Sequence, residues 1–131
     1  MAKCKYLSDI GVSDDDIVAN YCSEDDDPRQ ERWIKQREEY GFDDRETWSL
    51  DITIFQFLYT RLMMYKEIGG QVVDLSYHKF NYDGNEVSLG DAINIIINEC
   101  KRMIQAEFLN RTRFDPKIWT LLGDIMPALW W

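Results

Sequence analysis

This 131-residue sequence contains few of the residues that build common reactive sites. It has one histidine, His78, so a histidine-rich metal or catalytic site is excluded. Its three cysteines, Cys4, Cys22 and Cys100, are an odd number without a CxxC pair, which indicates neither a disulfide framework nor a zinc site. No glycine-rich phosphate-binding loop is present. We therefore predict a protein that is not an enzyme and that holds no metal and no cofactor.

Long hydrophobic runs are also absent. No stretch approaches the ~20 apolar residues that cross a bilayer, and the first residues lack the basic start and apolar run of a signal peptide. A hydrophobic fraction of 45%, with five tryptophans, nevertheless indicates a folded chain. The sequence predicts a soluble, single-domain cytoplasmic protein over residues 1–131, without a membrane contact.

The stretch from 50 to 68 is the most apolar part of the chain. At about 100° per residue, its only polar stripe is narrow and consists of Thr53, Gln56, Thr60 and Glu67. This pattern predicts a helix in the middle of the domain, with neighbours on several sides. We expect Asp51 or Ser49 to cap its start and Gly69–Gly70 to end it in a left-handed turn.

The remaining chain predicts further helices and one small β element. Residues 72–87 alternate and contain the turn signal Asp83–Gly84, which predicts a short hairpin or extended segment. Ser88 and Asp91 have capping-box spacing before a long helix, and Asp115–Pro116 opens a last helix that should stop at Pro127. The fold class is mainly α, an acidic helical part over 1–47 followed by an apolar helical core over 48–131.

Negative charge is concentrated near the N-terminus. Residues 1–51 hold 15 Asp and Glu against 7 Lys and Arg, whereas residues 52–131 hold 9 against 8. Two predicted helix starts, at Ser13 and at Asp27–Pro28, carry acidic clusters. Their members are Asp14, Asp15, Asp16, Glu24, Asp25, Asp26 and Asp27. Acids favour helix N-termini, so capping explains part of this charge; the excess favours a surface that binds a basic groove.

The chain contains strings that carry a resemblance. These are Glu46–Asp51, Tyr65–Glu67, Val73–Leu75, Tyr77–Phe80 and the ending Pro127–Trp131. Together they resemble a family of small proteins of bacteriophages and prophages, over roughly residues 46–131. No activity is assigned to that family, so the resemblance implies a mobile-element setting in a bacterial host and no catalytic residues.

Charge location and resemblance together give a functional hypothesis. We expect a phage accessory protein whose acidic clusters mimic DNA and inhibit a host nucleic-acid-handling defence protein, of the anti-CRISPR or anti-restriction type. The partner would be a host protein with a basic groove, such as a CRISPR nuclease, and would not be nucleic acid itself. The terminal Trp130 and Trp131 either fold back on the core or form an apolar interface.

Two alternatives remain open at this stage. The aromatic residues are most simply core, yet they could form a pocket that sequesters a nucleotide signal. That set is Trp48, Tyr65, Tyr77, Phe80, Trp119, Trp130 and Trp131. A local basic site for phosphates could use Arg61, Lys79, Arg102, Arg111 and Arg113. The second alternative is a virion or assembly component.

Overall fold

The computed structural model describes residues 4–18, 27–106 and 113–131. In these residues the chain is mainly helical with one antiparallel two-stranded sheet, which confirms the predicted fold class. The helices are α1 (Lys5–Ser8), α2 (Gln30–Tyr40), α3 (Arg45–Trp48), α4 (Leu50–Glu67), α5 (Leu89–Gln105) and α6 (Pro116–Ile125). The strands are β1 (Lys79–Tyr82) and β2 (Asn85–Ser88).

The chain divides into two compact units, residues 1–56 and residues 57–131. The division falls inside α4 and not near residue 47, where the sequence places the change from acidic to apolar chain. Each unit is described by itself below. The prediction of a single domain stays a prediction.

In the N-terminal unit, the helix predicted to start at Ser13 is interrupted after one turn, and the part of it beyond residue 18 lies outside the described residues. Ser13 precedes a 3-10 turn, Asp14–Asp16, and Ile17 is already extended, with φ −81° and ψ 113°. The side-chain amide of Gln56 explains the stop. Its Nε2 donates to the carbonyl of Asp16 at 2.8 Å, and its Oε1 accepts the N–H of Val18 at 3.0 Å. The backbone groups that a continuing helix would use therefore form hydrogen bonds with a side chain instead.

Helix α2 begins two residues later than Asp27–Pro28 predicts. Asp27 still acts at its start, because its Oδ1 accepts the N–H of Arg29 at 2.8 Å. The helix ends at Gly41, and this glycine is in the left-handed region at φ 84°. Of the two neighbouring apolar residues on this charged helix, Trp33 is buried whereas Ile34 is exposed.

Helix α4 spans the predicted stretch, but its orientation differs from the prediction. The polar residues Gln56 and Thr60 are buried, whereas apolar residues such as Phe57 and Met64 are about half exposed. The helix is therefore not surrounded on all sides. Gln56 accounts for part of the difference, because its amide has partners on the buried side.

The end of α4 also differs. Gly69 and Gly70 form a 3-10 turn, Gly69–Gln71, and neither has a positive φ. Gly69 lies against the chain end instead: a Cβ there would lie 2.9 Å from Cδ1 and Nε1 of Trp131, so a side chain at this position would displace that ring. The chain end is held beside this turn, since the Tyr65 hydroxyl lies 3.3 Å from the carbonyl oxygen of Ala128 and 3.1 Å from that of Trp130.

In the C-terminal unit, the hairpin is shorter than the stretch 72–87. It pairs Lys79 with Ser88 and Tyr82 with Asn85, and Asp83–Gly84 forms the turn with φ 51° and 81°. Both positive φ values match the Asp–Gly turn signal. Residues 73–77, predicted to be extended, form turns.

Helices α5 and α6 form the core of this unit together with the hairpin. Ser88 and Asp91 make the predicted capping box, Asp115 caps α6 by accepting the N–H of Lys117 at 2.9 Å, and α6 stops before Pro127. The inner faces of both helices follow helical spacing and are buried: Leu89, Ala92, Ile93, Ile96, Cys100 and Met103 on α5, and Ile118, Leu121, Leu122 and Ile125 on α6.

Candidate interaction surface of the N-terminal unit

The turn Asp14–Asp16 carries three consecutive carboxylates. Asp15 and Asp16 are exposed and Asp14 is half-buried. Ser13 Oγ donates to Asp16 Oδ2 at 2.8 Å, and Gln56 fixes the backbone on the C-terminal side of the turn. The sequence thus identified the acidic residues but missed the side chain that positions them. Gln56 lies forty residues from Asp16 along the chain. In the sequence, the only feature that distinguished it was that it is a polar residue among apolar neighbours.

The second acidic cluster is only partly described. Glu24, Asp25 and Asp26 lie outside the described residues. Asp27 forms an ion pair within its own chain: its Oδ2 lies 3.1 Å from Nη2 of Arg29, and its Oδ1 accepts a hydrogen bond from Arg29 Nε at 3.2 Å. Hydrogen bonds from Arg29 to the side chain lower the pKa of Asp27. We conclude that Asp27 organises the start of α2.

The link between α2 and α3 contains a buried charge cluster that the sequence analysis did not predict. The side chain of Asp43 is fully buried, and its two oxygens accept from Nε and Nη2 of Arg45 at 2.9 and 2.7 Å. Arg37 Nε adds a contact of 2.6 Å to Oδ2. Burial by itself raises the pKa of Asp43, but the hydrogen bonds from Arg45 and the charge of Arg37 outweigh it and leave this pKa below its ordinary value.

Trp33 joins this cluster to the neighbouring acid. The guanidinium carbon of Arg45 lies 4.0 Å from the Trp33 ring centroid, and the indole Nε1 donates to Asp44 Oδ1 at 3.1 Å. Arg32 approaches the other oxygen of Asp44 at 3.1 Å. The edge of Trp48 meets Trp33 at a centroid distance of 6.2 Å. This packing fixes the link on α2, and the string Gly41–Phe42–Asp43–Asp44–Arg45 alone gives no signal of it.

These contacts determine which charged side chains of this unit form ion pairs within the chain. Between 27 and 56, all five basic residues form ion pairs with nearby acids. They are Arg29, Arg32, Lys35, Arg37 and Arg45, bound to Asp27, Glu31, Asp43 and Asp44. Within the described chain, Asp14, Asp15, Asp16, Glu38 and Glu39 have no such cationic partner. The acidic turn and the last part of α2 therefore carry negative charge that none of these ion pairs neutralises.

The aromatic set does not form the expected core. Trp48, Tyr77, Trp119, Trp130 and Trp131 are all substantially exposed, and Tyr65 and Phe80 are half-buried. Trp130 and Trp131 do fold back on their own unit, yet both rings stay more than half exposed. Of the basic residues suggested for a phosphate site, Arg102 is bound to Glu99 and the Arg61 guanidinium lies 4.4 Å from the Phe57 ring. Arg111 lies outside the described residues.

Reactive groups in the described chain have ordinary structural surroundings. His78 is exposed, with its ring edge against Tyr77 at 5.1 Å. Burial raises the pKa of the Cys100 thiol to about 12, so that it stays protonated. Residues 4–18, 27–106 and 113–131 contain no cluster of three or more His, Cys, Asp or Glu that could hold a metal ion.

Among the described helices, none has the length and hydrophobicity needed to cross a membrane. Comparisons of the chain with protein-family models, curated proteins and solved structures found no match.

Proposed function

We propose that this protein is a phage or prophage accessory protein that binds and inhibits a basic, nucleic-acid-handling defence protein of its bacterial host. The acidic turn Asp14–Asp16 and the acids at the end of α2 form the contact surface. The observation that carries this proposal is the pairing of every basic residue between 27 and 56 with acids other than these. The acids of the proposed contact surface are therefore not neutralised by these basic residues.

Two physical features support the assignment. Gln56 holds the backbone of Asp16 and Val18, so the turn loses little freedom when a partner binds. Exposed carboxylates also attract a basic groove over a screening distance of ~8–10 Å and speed its encounter with the protein. An inhibitor of this kind occupies the site of the nucleic acid without any catalytic group.

The test is capture from a bacterial lysate on the immobilised protein, with and without duplex DNA as competitor. The test variant combines D14N and D15N, which removes two charges and leaves Asp16 and Asp27 with their own contacts. We expect proteins that DNA displaces from the original to bind this variant at least tenfold less, with a weaker dependence on salt.

A matched control removes the same charge from the C-terminal unit. Glu86 and Asp124 are both exposed, so E86Q combined with D124N lowers the net charge equally without touching the acidic turn. Capture by this control should equal that of the original. If D14N with D15N captures the same proteins as tightly at low and at high salt, charge mimicry by the turn is refuted.

A further inference from the structure

Helix α4 carries a continuous exposed apolar stripe. Leu50, Ile54, Phe57, Met64 and Ile68 are 53, 39, 55, 50 and 42% exposed, and Arg61 is exposed among them. These six residues, which we call the α4 stripe, are spaced alternately by four and three positions. Such spacing keeps them on one face of a helix and is the seam spacing of paired helices. Ile68 continues that face, since its N–H donates to Met64 O at 2.8 Å.

The opposite side of α4 is already occupied. Phe55, Gln56, Tyr59, Thr60 and Leu62 are buried. A surface helix normally turns its polar residues to solvent, whereas α4 buries two of them and exposes four large apolar ones, and a fifth, Ile68, follows directly after its end. A contiguous exposed apolar patch of this kind marks an interaction surface.

The positions of the α4 stripe are symmetric about the level of residue 59, so they coincide when the helix direction is reversed. In an antiparallel pair of α4 helices centred there, Leu50 meets Ile68 of the other copy and Ile54 meets Met64. Two-fold symmetry requires such reciprocity, because when residue i contacts residue j, residue j must contact residue i. The third layer then joins Phe57 of each copy to Arg61 of the other.

Charge selects this direction over the parallel one. A parallel pair would place the two Arg61 guanidinium groups opposite each other in the seam, where like charges repel. In the antiparallel pair they lie four residues apart, about 6 Å along the axis. Each guanidinium also approaches an aromatic ring, which it already does within its own chain, where Arg61 lies 4.4 Å from the Phe57 centroid.

We propose that the α4 stripe binds a second copy of this chain, as an antiparallel helix pair related by a two-fold axis. Five apolar side chains, each about half exposed, offer on the order of 500 Å² per copy, at the small end of specific interfaces. The dimer should therefore depend on protein concentration. Because each copy carries a net charge of −9, it should strengthen with added salt, unlike the acidic contact proposed above.

Sedimentation velocity of the full chain over a range of concentrations tests the proposal. We expect the weight-average mass to rise from one copy towards two. I54E and M64K should each weaken the dimer at least tenfold, because each introduces two unpaired charges into the apolar seam. N98E is the control: it adds a charge at an exposed position of α5 and should leave the dimer unchanged. Both sites on α4 are exposed, and unchanged melting curves would confirm that the variants fold.

Mixing the two variants tests the direction of the pair. In an antiparallel heterodimer, the glutamate of I54E faces the lysine of M64K and the remaining Ile54 faces Met64, so mixing should restore association. In a parallel pair neither contact forms. A chain that stays monomeric, or a dimer that survives both single variants, overturns the proposal. Loss in each variant without recovery in the mixture overturns the antiparallel register.

Discussion

Replacing Asp43 by asparagine tests whether the buried charge cluster holds the N-terminal unit together. The substitution keeps the shape of the side chain and the oxygen that accepts the Arg45 backbone N–H, but it removes the negative charge. The Arg45 side chain is only 8% exposed, so its guanidinium would stay buried without a counter-charge. The change isolates the ion pair from the packing around it.

The expected magnitude follows from that burial. Removing one partner of a buried ion pair costs about 3–5 kcal/mol, because the remaining charge has lost its solvation and its partner. The neighbouring D44N makes the same chemical change one residue away, at a side chain that is 32% exposed and in contact with water. Its contacts from Arg32 and Trp33 are worth less in that setting, and we expect a cost of about 1–2 kcal/mol.

The assay is urea unfolding followed by tryptophan fluorescence and by far-UV circular dichroism. We expect D43N to lower the unfolding midpoint well below that of D44N, with both proteins folded in the absence of urea. Equal midpoints for the two variants would refute the argument, since they would show that burial of Asp43 adds nothing to the ion pair.

Acid provides an independent test of the same carboxylate. Its folded pKa is lowered from an ordinary value of 3.8, so the stability it contributes is present above about pH 4 and is lost as the pH falls through the folded pKa. D43N should therefore lose less stability than the original between pH 4 and pH 2. The buried Glu99 adds a second loss of the same sign, because Arg102 lowers its pKa as well.

Two further perturbations probe positions that the structure singles out. Q56L should lower the free energy of unfolding by about 2–4 kcal/mol and speed hydrogen exchange at the Val18 amide, because Val18 N–H and Asp16 C=O lose their buried partner. The control Q71L lies on the surface and should change neither the stability nor the exchange rate. G69A should displace the Trp131 ring and alter tryptophan emission while costing less than about 1 kcal/mol, because that ring belongs to the last residue and can move. An unchanged emission spectrum for G69A, or unchanged exchange at Val18 in Q56L, would contradict these contacts.

Local signals in the sequence predicted local structure well. The Ser88–Asp91 capping box, the Asp115 cap, the stop before Pro127 and the Asp83–Gly84 turn all depend on residues within four positions of one another. The chemistry at such sites is complete within the motif, so nothing distant overrides it. The same holds for the buried stripes of α5 and α6, where hydrophobic spacing alone identifies the inner face.

Failures occurred where a distant side chain competes with a local preference. The turn at Asp14–Asp16 ends because Gln56 binds its backbone, and the space beside Gly69 is occupied by Trp131, which comes from the other end of the chain. The burial of Asp43 carried no signal in the hydrophobic pattern either, since it depends on ion pairs with Arg45 and, across a turn, with Arg37. Periodicity cannot anticipate these contacts, because each joins residues that the pattern treats independently.

The orientation of α4 shows why hydrophobicity alone left the exposed face of this helix undetermined. When a helix is apolar almost all round, its pattern does not say which face is buried, and the few polar residues are normally assigned to solvent. Here Gln56 reverses that assignment, because its amide satisfies two backbone groups of the N-terminal unit and must therefore point inward. At about 100° per residue, the buried Tyr59 lies on the opposite half of the helix from Phe57 and Met64, which are about half exposed. Gln56, which fixes the acidic turn, therefore belongs to the buried side of α4, and the stripe that we assign to a second copy lies on the other side.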